Sequence, residues 1–133
     1  MGINGQLITY QNEKFDAETF RIFLEKLLLN AVVGRTKEDK PKKILLVLDN
    51  ARYHHAKILQ PWLESVSDLL ELFFLPPYSP DLNAIEMLWK KTRRNVTHNR
   101  FFESLDQLRY DLTLYWKNFC MPNVELQKLT AFI

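Results

Sequence analysis

The chain has 133 residues, 47% of them hydrophobic and 26% charged, with a formal net charge of +2. That length suits one compact domain spanning residues 1–133, and the apolar content suffices for a core, which excludes a disordered chain. The single cysteine, Cys120, rules out an internal disulfide, and no Cys/His spacing reads as a zinc site. The apolar runs at 44–48 and 72–75 are too short to span a bilayer, and no signal-peptide pattern is present. A reducing, cytoplasmic setting is the expectation.

Taken in chain order, residues 6–11 read as a short strand through Leu7, Ile8 and Tyr10. Asp16 reads as the N-cap of a helix reaching about Asn30, whose apolar positions Phe20, Phe23, Leu24, Leu27 and Leu28 fall at helical spacing. Residues 34–43 form a polar, charged linker. The run Ile44-Leu-Leu-Val-Leu48 is continuous and apolar, the pattern of a strand buried on both faces. A helix is expected over about 56–67, a second strand over 70–75, and a break at Pro76-Pro77-Tyr78-Ser79-Pro80. Two helices follow, at about 84–98 and 104–119, and the tail from Met121 has no clear pattern. The alternation of strands and helices predicts an α/β fold with a mostly parallel sheet. In such sheets the working groups gather at the carboxyl ends of the strands.

Asp49 stands at that end of the most apolar strand. A carboxylate there suits Mg²⁺, which takes one or two protein carboxylates and completes its shell with substrate and water. The competing reading is an Asx turn. Glu86 has three readings: the N3 member of a capping box begun by Asn83, an i,i+4 partner of Lys90, or a metal-ligating carboxylate. His54 and His55 follow Asp49 closely and suit either charge stabilisation or packing. Tyr78, Trp89 and Trp116 suit either stacking on bases or anchoring a core and a loop. Between Met87 and Phe102 there are Lys90, Lys91, Arg93, Arg94 and Arg100 and no acidic residue. That block is either a phosphate-contacting surface or a solvated helix face.

Two segments resemble one family. Residues 46–55, LVLDNARYHH, resemble the strand and turn around the second aspartate of the Tc1/mariner and IS630 transposase superfamily. Residues 75–89, LPPYSPDLNAIEMLW, resemble the loop and helix around its third acidic residue, with Ala84 where the family usually has proline. The 36 residues at positions 50–85 separate Asp49 from Glu86, close to the superfamily spacing, and a glutamate at the third place points to the IS630 side.

The resemblance implies a ribonuclease-H-like mixed sheet flanked by helices, here truncated at the N-terminus with the first strands missing. It implies a DDE endonuclease and strand-transfer activity in DNA transposition, with two Mg²⁺ or Mn²⁺ ions held by three carboxylates. Asp49 and Glu86 would be the second and third catalytic and metal-ligating carboxylates. No acidic residue before Asp49 sits in a motif matching the first, so weak metal binding and no efficient cleavage are expected of this chain alone. Lys90, Lys91, Arg93 and Arg94 would contact DNA, at transposon ends or target, in a nucleoid-associated protein. An exposed edge beside residues 44–48 would lead to a homo-oligomer or a complex with an upstream transposase polypeptide. A decayed insertion-sequence remnant and the second frame of a frameshifted transposase both fit, as does a catalytically inactive DNA-binding or oligomerisation remnant.

Overall fold

The computed structural model describes residues 1–2, 4–32 and 42–129. The expected linker at 34–43 lies, apart from Lys42 and Lys43, outside the described residues. The chain divides into two compact units, Tyr10–Tyr78 and Met1–Thr9 with Ser79–Ile133.

In the Tyr10–Tyr78 unit, helix α1 spans Ala17–Val32. Its start is set by a reciprocal pair. The Thr19 amide donates to Oδ1 of Asp16 at 2.9 Å, and the Asp16 amide donates to Oγ1 of Thr19 at 3.0 Å. Threonine thus takes the role that glutamate usually has in a capping box. The bond from the Thr19 amide, first of all, holds the Asp16 carboxyl below the usual carboxylate range.

Strands β1 (Ile44–Leu48) and β2 (Leu70–Phe74) pair in parallel, with Ile44 opposite Leu70 and Leu48 opposite Phe74. The connection runs through short 3₁₀ turns at Arg52–His55 and Lys57–Leu59 into helix α2 (Gln60–Ser65). Parallel pairing requires such a crossover, and the expected α/β character is met in this sheet.

Side chains alternate across the sheet. Ile44, Leu46, Leu48, Leu70 and Leu72 pack on Phe20, Leu24 and Leu59. The opposite face carries Leu45, Val47, Glu71 and Phe73, with Leu45 61% and Phe73 55% exposed. The expectation of a strand buried on both faces is therefore corrected. A continuous apolar run shows that either face is able to be covered, but not that both are.

The strand expected over residues 6–11 does not form, and residues 6–9 belong to the other unit. Instead the Leu7 amide donates to the Phe119 carbonyl at 2.7 Å, and the Leu7 side chain is buried against Leu88, Trp116, Phe119 and Leu126. Gly5 makes the approach possible. It has φ of +77°, and a Cβ there would lie 1.9 Å from the Asn123 carbonyl oxygen.

Helix α3 spans Ala84–Thr92 and continues as a widened π turn over Arg93–Thr97. Leu88, Thr92 and Val96 are its buried positions. A spacing of four drifts around an α-helix, and the wider turn rotates less per residue, which returns Val96 toward the buried stripe. Helix α4 spans Leu105–Lys117, with Ser104 accepting from the Gln107 amide at 3.1 Å. Helix α5 (Val124–Leu129) forms in the tail that showed no pattern, begun by Asn123, whose side chain accepts from the amides of Glu125 and Leu126.

Candidate active site

Asp49 follows β1 directly, at the carboxyl end of the sheet. Its carboxylate is held at one oxygen. Oδ1 accepts from the Ala51 amide at 3.1 Å, an Asx turn, and lies 3.1 Å from Nδ1 of His54. Nδ1 is also 3.1 Å from the Asp49 carbonyl oxygen. Both neighbours are acceptors only, so Nδ1 carries the proton. Oδ2 makes no hydrogen bond within the described residues, and the Asp49 side chain is 63% exposed. The turn reading of Asp49 is thus observed at one oxygen, and it leaves the other available.

The two histidines serve neighbouring residues. His54, 8% exposed, has its ring centroid 4.4 Å from those of both Phe20 and Tyr53. His55 stacks on Phe74 at 4.0 Å, and its Nε2 lies 3.2 Å from Oδ1 of Asn50. Nδ2 of Asn50 in turn donates to the Leu75 carbonyl, tying the ends of β1 and β2 together. Burial, and then the charge of Asp49, raise the Tyr53 phenol above its ordinary value, so it stays neutral beside the carboxylate.

Glu86 lies in the other unit, in the first turn of α3. Asn83 caps that helix, its side chain accepting from the Ile85 amide at 3.3 Å. The capping box is half formed: Asn83 caps, but the half-buried Glu86 carboxylate neither reaches back to it nor pairs with Lys90 within the described residues. It remains available as an oxygen ligand.

Lys90, Arg93 and Arg94 are exposed and have no acidic partner among the described residues. Lys91 differs: it is half-buried and paired with Glu125 of α5. Trp116 is core, donating from Nε1 to Oγ1 of Thr92 at 3.1 Å. Trp89 meets it edge-on, with centroids 5.7 Å apart. Tyr78 is fully exposed and holds φ of +57°, a left-handed conformation uncommon for an aromatic residue.

Among the described residues no three His, Cys, Asp or Glu side chains cluster as a metal site. What the described residues offer a metal is hard carboxylate oxygen, and an exposed carboxylate with one oxygen fixed and one without a partner among those residues fits Mg²⁺ or Mn²⁺.

Residues 4–109 match the sequence profile of the DDE superfamily endonucleases. The chain belongs to that family. Over 78 residues it is 38% identical to an uncharacterised protein of Sinorhizobium fredii, covering 59% of this chain and 53% of that protein. Over 69 residues it is 32% identical to an uncharacterised 39 kDa protein of insertion element IS630 from Shigella sonnei, covering 52% of this chain and 20% of that protein. No solved structure matches significantly. The resemblance to IS630 transposases read from the two motifs thus agrees with the family match and with the second relative. No helix among the described residues of this DDE endonuclease chain is long and apolar enough to cross a membrane.

Proposed function

We propose that this chain is a portion of an IS630-type transposase catalytic domain, of ribonuclease-H-like fold, that cuts and joins DNA phosphodiesters with divalent metal. Asp49 and Glu86 are the second and third metal-ligating carboxylates, and the family's first aspartate comes from polypeptide outside residues 1–133. The observation that carries this reading is Asp49 itself. It sits at the carboxyl end of a parallel strand inside the family match, with Oδ1 fastened and Oδ2 free of partners among the described residues.

When bound, the divalent ions activate the attacking water or 3′-hydroxyl and stabilise the leaving oxygen. The chain's own residues have simpler tasks. Asp49 and Glu86 supply anionic oxygen. Asn50 and His55 hold the end of β1 against the end of β2, which fixes the backbone from which Asp49 projects. Lys90, Arg93 and Arg94 attract and orient the phosphate backbone without reading sequence.

The test is nicking of terminal-repeat DNA by the chain combined with the polypeptide encoded immediately upstream. Nicking that requires Mg²⁺ or Mn²⁺ and is lost in Asp49→Asn and in Glu86→Gln is expected. Nicking indifferent to both substitutions contradicts the assignment. Salt-sensitive DNA binding with no cleavage identifies a catalytically inactive DNA-binding remnant instead.

A further inference from the structure

We infer that His54 is the positioning residue for the Asp49 carboxylate, setting which of its oxygens meets a divalent cation. The inference deepens the proposed function and rests on Asp49 being a metal ligand.

The geometry runs in one direction, from the core outward. Phe20 of α1 and the neighbouring Tyr53 hold the His54 ring from two sides, at centroid distances of 4.4 Å each. The ring is buried, so its orientation is fixed by packing and not by solvent. That orientation places Nδ1–H between the carbonyl oxygen and Oδ1 of Asp49, each 3.1 Å away. Nδ1–H is hydrogen-bonded to the Asp49 carbonyl oxygen, and a buried donor without that acceptor costs stability, so the ring is kept beside the Oδ1 it approaches. The Ala51 amide donates to Oδ1 and Nδ1 of His54 lies 3.1 Å from that same oxygen, whereas Oδ2 has no hydrogen bond within the described residues.

Two consequences follow for a cation. An exposed carboxylate ordinarily rotates freely and must be ordered when it binds; here that ordering is done on folding. Donors on Oδ1 draw its electron density, so the ion meets Oδ2, in single-oxygen rather than bidentate contact. Hydrogen-bond partners of metal ligands are typically worth 10–100-fold in metal affinity. His54 does this in either charge state, because Nδ1 carries its proton in both.

Amide NMR of the chain with added Mn²⁺ tests this, reading the concentration that half-broadens the Ala51 signal. Wild type is expected to broaden there, and Asp49→Asn to lose the effect. His54→Phe keeps an aromatic ring but no donor, and its midpoint is expected to rise roughly 10–100-fold with the rest of the spectrum unchanged. His54→Asn and His54→Leu are nearly isosteric, and asparagine alone carries a donor at the δ position. Recovery by Asn and not by Leu is expected, and this pair carries the test should the Phe variant not fold. Equal midpoints for Asn and Leu, or a wild-type midpoint for Phe, overturn the role of His54 while Asp49 stands. A wild type that never broadens, or an Asp49→Asn protein that broadens as wild type does, overturns the reading of Asp49 itself.

Discussion

Nε1 of Trp116 donates to Oγ1 of Thr92 at 3.1 Å inside the core that carries α3. Thr92 and Trp116 are both buried, so this bond has no water to replace it. It ties α4 to the helix that presents Glu86 and the basic residues. Thr92→Val removes the acceptor while keeping the shape, leaving the indole N–H unpaired. A loss of about 1–3 kcal/mol in chemical denaturation is expected, with Thr92→Ser retaining most of the stability.

The cap of α1 gives a pH prediction. The Asp16 carboxyl is held below its ordinary range chiefly by the Thr19 amide. A lowered folded-state pKa means stability that is present above the unfolded-state value and lost as pH falls through the folded one. Asp16→Asn keeps a neutral cap. The melting-temperature advantage of wild type over Asp16→Asn is therefore expected to hold from about pH 7 down to about pH 4 and to shrink as pH falls below that. Asp16→Ala, which has no cap, is expected to melt below Asp16→Asn across that range.

The basic residues of α3 and its π turn divide into two groups. Lys90, Arg93 and Arg94 are exposed, whereas Lys91 is paired with Glu125. Each phosphate contact contributes roughly 0.9 to the slope of log affinity against log salt for duplex DNA. Alanine at Lys90, Arg93 or Arg94 is expected to weaken DNA binding and reduce that slope by about 0.9 each. Lys91→Ala is expected to leave the slope unchanged. A fluorescence-anisotropy salt series on all four variants checks both statements.

Much of the fold was legible in the residues. Asp16 marked the start of α1, the runs at 44–48 and 70–75 marked two strands, and Ser104 marked the start of α4, because caps and apolar periodicity act locally. What failed was decided by partners distant in sequence. Residues 6–9 have β-prone side chains, but Leu7 found the Phe119 carbonyl rather than a strand. Leu45 has the same character as Leu46, yet one face of the sheet is packed and the other open. The π turn follows from burying Val96 beside Thr92, and the pairing of Lys91 with Glu125 spans 34 positions. No local pattern carries either. Motif and spacing point to Asp49 and Glu86 as the candidate carboxylates, whereas the unequal surroundings of the two Asp49 oxygens have no local signal in the sequence. That depends on the His54 ring being held by Phe20 from another element.

In the proposed function, Asp49 and Glu86 are each divalent-metal ligands for phosphodiester chemistry. Calorimetric titration of Mn²⁺ into wild type, Asp49→Asn and Glu86→Gln tests this most directly. Weak saturable binding by wild type, lost in Asp49→Asn and reduced in Glu86→Gln, is the predicted result. Binding of equal strength in all three proteins would contradict it.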